Sequence, residues 1–133
     1  MAELHCIVVT PETTVLDEQI DYLVLPLFDG EIGVAPLHGP MIGRLGCGEM
    51  RIRQGERTTR YYVDGGFAEV AGDSVSVLTN HALLAEELDS KELEEHLESV
   101  LAKEAHSEQA LILREKAAVQ ARAKLAVARR STS

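Results

Sequence analysis

The sequence predicts a mainly β fold with an α appendage: an N-terminal antiparallel β-sandwich over residues 1–87, then a C-terminal antiparallel two-helix hairpin over residues 88–133. Three observations predict it. Up to Leu78, short β-branched or alternating runs are cut by turn residues at the spacing typical of sandwiches and barrels. From Asp89 the apolar period changes to that of a helix. The charge divides in the same way: residues 1–85 carry twelve acids and five bases, residues 86–107 eight and two, and residues 108–133 two and six. An acidic first helix therefore faces a basic second one.

In chain order, Leu4 to Thr10 is a β-branched strand ended by Pro11-Glu12. Val15 to Ile20 is a weaker strand and Tyr22 to Leu25 a strong one. Asp29-Gly30 is a turn dipeptide, because glycine reaches positive φ without steric cost. Glu31 to Val34 alternates as a short half-buried strand does. Pro36 and Pro40 then deny Leu37-His38-Gly39 the donors a ladder needs. The expectation is a stiff loop at one end of a sheet, carrying Glu31 and His38 near solvent. Met41 to Leu45 and Glu49 to Arg53 follow as strands, with the arginines of Arg51-Ile52-Arg53 facing solvent or a partner. Thr58 to Asp64, Phe67 to Val70 and Ser74 to Leu78 complete the sandwich, with turns at Gly65-Gly66 and Gly72-Asp73, and Asn80 to Glu87 reads as a connector.

Asp89 or Ser90 can cap the first helix, whose stripe is Leu93, Leu97, Val100, Leu101 and Ala105. A second helix starts near Ser107 or Glu108 and runs to about Arg130, with Ala110, Leu111, Ala117, Ala118, Ala121, Leu125 and Ala128 as its stripe. Alanine favours helix and lets two helices approach closely.

Composition sets limits on function. The 133 residues are 45% hydrophobic and 26% charged, enough for a packed core built from Val, Leu, Ile and Ala, since aromatics make up only 4%. A net charge of -9 argues against non-specific nucleic-acid binding. No apolar run reaches the length of a membrane span, and Met1-Ala2-Glu3 is not expected to begin a signal peptide, so a membrane would be reached only through a partner. Cys6 and Cys47 lack C-x-x-C spacing and read as two small apolar residues in a reducing compartment. The five histidines form no ligand pattern, and no metal or cofactor is expected.

No nucleophile elbow, Walker loop or zinc-protease motif is present. Gly30 and Gly33 precede no helix, so they make no phosphate cradle. His38 with Glu31 and His96 with Glu92 are suggestive pairs, the second an ordinary i, i+4 pair on an exposed helix face. These residues alone lead to an interaction module without chemistry of its own.

Pro26, the Gly30-x-x-Gly33 pair and Val34-Ala35-Pro36-Leu37-His38-Gly39-Pro40 together resemble the pattern near the start of the epsilon subunit of F-type ATP synthases of bacteria and chloroplasts. Val63-Asp64-Gly65-Gly66-Phe67-Ala68-Glu69-Val70 is similar to that family's Gly-Gly hairpin, and the resemblance runs from Leu4 to about Arg130. It implies a non-catalytic subunit of the central stalk, without cofactor. Its sandwich would pack on the gamma subunit and touch the c-subunit ring, coupling proton or sodium flow to ATP synthesis. Its hairpin would reach the alpha and beta catalytic subunits and inhibit ATP hydrolysis. By position, Glu31, His38, Met41 and Ile42 would lie at the c-ring end. Core packing is the alternative for Met41 and Ile42, and a solvated turn acid the alternative for Glu31. The bases Arg122, Lys124, Arg129 and Arg130 would meet the catalytic subunits, mutual screening within the hairpin being the alternative.

Many bacterial relatives carry Asp-x-x-Arg-Ala at the start of the first helix, where the arginine helps hold nucleotide. Here Asp89-Ser90-Lys91-Glu92 makes that motif degenerate, so little or no ATP binding is expected. The implied location is peripheral, on the cytoplasmic face of a bacterial plasma membrane, with the stromal face of a thylakoid as the lesser alternative. The competing reading is a free-standing β-sandwich adaptor or enzyme inhibitor with a helical tail. An enzyme with a site assembled from scattered residues is a third.

Overall fold

A computed structural model describes residues 3–130; positions 1–2 and 131–133, the outer ends of the two predicted segments, lie outside the described residues. Among the described residues, ten strands form two five-stranded sheets. Sheet A has the order β2(Thr14–Ile20), β1(Leu4–Val9), β9(Ser74–Leu78), β8(Phe67–Ala71), β5(Met41–Arg44). Sheet B has the order β10(Ala82–Leu84), β7(Arg57–Asp64), β6(Cys47–Gln54), β3(Tyr22–Leu27), β4(Gly30–Val34). The pairings are antiparallel except β1 with β9, which run parallel.

Alternation explains the core. Leu4, Cys6 and Val8 of β1, with Val70, Val75 and Val77, point inward from sheet A. They meet Leu23, Leu25, Val34, Met50, Ile52, Tyr61 and Val63 of sheet B. Burial of side chains from both inner faces is what holds such a sandwich together. Cys6 is fully buried, and desolvation pushes its thiol up to about 12, as expected of an inert core residue.

Three details depart from the sequence reading. Within the expected connector 80–87, Ala82–Leu84 pairs with Tyr61–Val63 as an edge strand and Ala85–Glu87 forms a 3-10 turn. Three residues are too few to carry a periodic signal. β6 begins at Cys47, not Glu49, while Leu45 leaves β5 to make an isolated bridge with Leu27. Glu31 lies in β4, as its alternation predicts, opposite Pro26, so the proline loop does not carry it beside His38 as expected.

Helix α1(Ser90–Ala102) is capped by Asp89, whose carboxylate accepts from the Lys91 and Glu92 amides at 2.9 and 3.3 Å. Helix α2(Glu108–Arg129) is capped by Ser107 through the Ala110 amide at 3.0 Å. Side-chain caps satisfy donors that a helix start leaves unpaired. The stripes hold in part. Val100, Ala118, Ala121 and Leu125 are buried, whereas Leu101 and Leu111 stand in solvent and Ala105 lies beyond the end of α1. The second helix also has a second buried face. Val127 joins Tyr62 and Ala85 in a small cluster with Ala123 and Leu88, and Gln120 reaches Asp64 of β7. The hairpin is therefore seated on the outer face of sheet B.

Candidate functional surfaces

The loop between β4 and β5 is held by a turn in which the His38 amide donates to the Ala35 carbonyl at 3.1 Å. The His38 ring nitrogen Nδ1 lies 2.6 Å from the Gly39 carbonyl oxygen. Between them Leu37 adopts φ 70, a region leucine rarely enters, and stands 87% exposed. Glu31 is not its neighbour. It sits near the start of β4, whereas His38 lies past its end, so roughly 10 Å of strand separates them. The Glu31 carboxylate is occupied by Arg51, at 3.2 and 3.4 Å. Met41 packs against the sandwich core, whereas Ile42 is 74% exposed; of that pair only Ile42 offers a contact surface.

Ile42 continues into an apolar strip on the outer face of sheet A that sequence reading missed. Arg44 pairs with Phe67 and Phe67 with Leu78, so the three form one cross-strand row. Phe67 and Leu78 are both more than half exposed, and the Phe28 ring, also exposed, lies 5.7 Å beneath the Arg44 guanidinium. Contiguous exposed apolar side chains of this kind mark contact surfaces. The alternation of Phe67-Ala68-Glu69-Val70 was a usable signal, because Ala68 and Val70 inward place Phe67 and Glu69 on the outer face.

The second surface is the seat of α2. Glu49, outward on β6, is buried and takes Arg60 and Arg51 from its own sheet and Arg130 from the end of α2. Burial raises its pKa, but the Arg60 and Arg51 hydrogen bonds outweigh this and hold the carboxyl below the usual glutamate range. One step along, buried Asp64 accepts from Gln120 and from the Cys47 thiol. Desolvation first, and then Asp64, push that thiol up to about 11. Lys124 lies 5.5 Å over the Tyr62 ring. Of the four bases expected to meet a partner, Arg130 and Lys124 are thus engaged on the sandwich and Arg129 on Glu94 of α1. Arg122 is exposed, with no carboxylate partner among the described residues. Asp89 is committed to capping, and Glu92 is exposed in the first turn, so neither presents a cation to a phosphate.

An unhinged apolar strip, a strained loop and a helical hairpin held to the sandwich by charge define a protein built for contacts. The family described as ATP synthase, Delta/Epsilon chain, beta-sandwich domain matches residues 3–85. The ATP synthase epsilon chain of Rhodopirellula baltica is 48% identical over 98 residues, covering 74% of this chain and 77% of the relative. That of Nitratidesulfovibrio vulgaris is 43% identical over 86 residues, 65% of this chain and 64% of the relative. Among solved structures, a chain in the Euglena gracilis mitochondrial ATP synthase (OSCP/F1/c-ring) superposes with a TM-score of 0.86 at 25% identity, covering 95% of this chain and 81% of that one. A chain in the Tetrahymena thermophila mitochondrial enzyme (central stalk/c-ring) shares the fold, with a TM-score of 0.69 at 11% identity over 94% and 96%. The chain belongs to the ATP synthase epsilon family. No helix among the described residues is long and apolar enough to cross a membrane.

Proposed function

We propose that this chain is a non-catalytic central-stalk subunit of a proton-translocating F-type ATP synthase. In this reading the sandwich binds the gamma subunit and the c-ring, coupling ion flow to ATP synthesis. The hairpin regulates the enzyme by inhibiting ATP hydrolysis at the alpha and beta subunits. The observation that carries the reading is the exposed apolar strip of Ile42, Phe67, Leu78 and Phe28 on a sandwich of the epsilon family. Leaving that strip in water is unfavourable, and a stalk protein such as gamma would cover it.

The loop at residues 35–40, with His38 and the projecting Leu37, faces the c-ring in this scheme, and Ile42 lies at the border of the two contacts. Glu31 contributes through its pair with Arg51. The subunit is held at the cytoplasmic face of the membrane by these partners alone. The test is affinity capture. Tagged chain expressed in its host should retrieve a large membrane-associated ATPase, and Phe67→Glu with Leu78→Glu should abolish capture while the sandwich stays folded. Capture that survives both charges, or recovery of no ATPase by the unaltered chain, overturns the assignment of the strip.

A further inference from the structure

The seat of α2 is arranged around one acid. The Glu49 side chain is 2% exposed. Its Oε2 accepts from Arg51 at 2.9 Å and from Arg130 at 3.3 Å, and its Oε1 accepts from Arg60 Nε at 2.7 Å. Arg60 also reaches past the carboxylate and donates Nη2 to the Val127 carbonyl at 2.9 Å, inside the last turn of α2. One guanidinium thus holds the acid and satisfies a carbonyl that the helix end leaves open.

What remains after the helix departs is as telling as what it makes. Arg51 and Arg60 both belong to sheet B, so Glu49 keeps two counter-ions when Arg130 leaves. Asp64 keeps the Cys47 thiol, 3.0 Å away, and gains water in place of Gln120. The Tyr62 hydroxyl, buried under the seated helix without a hydrogen-bond partner among the described residues, becomes free to hydrate. A seat whose loss strands a buried charge would be costly to open. Here Glu49 stays paired and Asp64 is opened to water, and the fully buried apolar contact given up is confined to Tyr62, Ala85 and Val127.

We propose that Glu49 is a pre-compensated receptor for the C-terminal end of α2, a latch that holds the hairpin through Arg130 and Arg60 and opens with the Glu49 carboxylate still paired to Arg51 and Arg60. Its consequence for the assembled enzyme rests on the inhibitory reading of the hairpin given above; the latch itself is a property of the isolated chain. The test is amide hydrogen exchange in the full isolated chain. Glu49→Gln and Arg130→Ala should each speed exchange of residues 118–127 about tenfold, the size expected for a lost charge-assisted hydrogen bond. Residues 50–63 of β6 and β7 should be unmoved by Arg130→Ala. The double variant should exchange no faster than Glu49→Gln, because Arg130 acts through that carboxylate.

Unchanged exchange of α2 in Arg130→Ala overturns the latch, as do additive effects in the double variant or an equal acceleration of β6 and β7. If Glu49→Gln does not fold, Arg130→Ala decides alone. Faster α2 exchange in the isolated variants with unaltered ATP hydrolysis in the assembled enzyme supports the latch and overturns the inhibitory reading.

Discussion

Gly66 shows how tightly single residues are held at the tip of the sandwich. Its φ is +102, and a Cβ built on it would lie 1.9 Å from the Leu78 carbonyl oxygen, which is backbone and has nowhere to go. Gly66→Ala should therefore destabilise the chain by more than about 2 kcal/mol, read as a lowered denaturant midpoint. Gly33→Ala is expected to be milder, since its obstacle is the mobile end of Tyr22. Glu49 carries a pH signature. Its folded pKa is depressed, so its contribution is complete above the ordinary glutamate range and is lost as pH falls through the lowered value. Folding stability should then hold above the ordinary glutamate range and decline in acid as Glu49 takes up a proton, chiefly through its Arg60 and Arg51 contacts. Chemical denaturation at successive pH values measures it, and Glu49→Gln should remove part of the acid dependence. Calorimetry with ATP should give little or no binding heat, because the first turn of α1 presents Glu92 where the resembling family has an arginine, and Asp89 is spent on the cap. Glu31 and His38 show what residue-level reading can and cannot reach. The prolines and glycines placed His38 on a loop and the alternation placed Glu31 in a strand, but the pairing of Glu31 with Arg51, twenty positions away, leaves no local trace.

At the scale of elements, strands and helices followed from periodicity because their burial is one-sided: β1 alternates Leu4, Cys6 and Val8 inward, and α1 and α2 begin at recognisable caps. The seat of the hairpin was not readable for the opposite reason. Helix α2 is buried on two faces, and the one meeting sheet B is made of Gln120, Ala123, Lys124 and Val127, a mixed set that looks like a solvated surface until Asp64 and Tyr62 are opposite it. The same is true of Ala82–Leu84, which is a strand only because β7 offers an edge. A chain ending at Leu88 keeps that edge strand and the whole core. It should unfold cooperatively, with a melting temperature lowered by a few degrees, because it loses Val127 over Tyr62 and the Arg130 contact with Glu49 but leaves Glu49 paired to Arg51 and Arg60. Non-cooperative melting by circular dichroism would show instead that the hairpin is part of the folding unit.

For the whole molecule, the proposed inhibition would make the hairpin bases choose between the sandwich and a partner, and the bases differ in how far docking already engages them. Arg130 and Lys124 hold the docked state, while Arg122 is exposed with no carboxylate partner among the described residues. If the released hairpin blocks hydrolysis through its basic end, Arg122→Ala removes a partner contact without weakening docking, whereas Arg130→Ala weakens both. Truncation after His106 removes α2 altogether, leaving α1 without its partner and the seat empty. In the assembled enzyme, at matched subunit content, that truncation should raise ATP hydrolysis severalfold. Arg122→Ala should give a smaller rise, larger at low salt, where an exposed charge is least screened. Replacement of all four bases, Arg122, Lys124, Arg129 and Arg130, should fall between them, because easier release from Glu49 and Tyr62 partly offsets weaker binding of the released helix. Equal hydrolysis rates in truncated and intact enzymes would mean that the hairpin stays on sheet B and serves only to brace it, and the ordering of the three variants would then collapse to a single value.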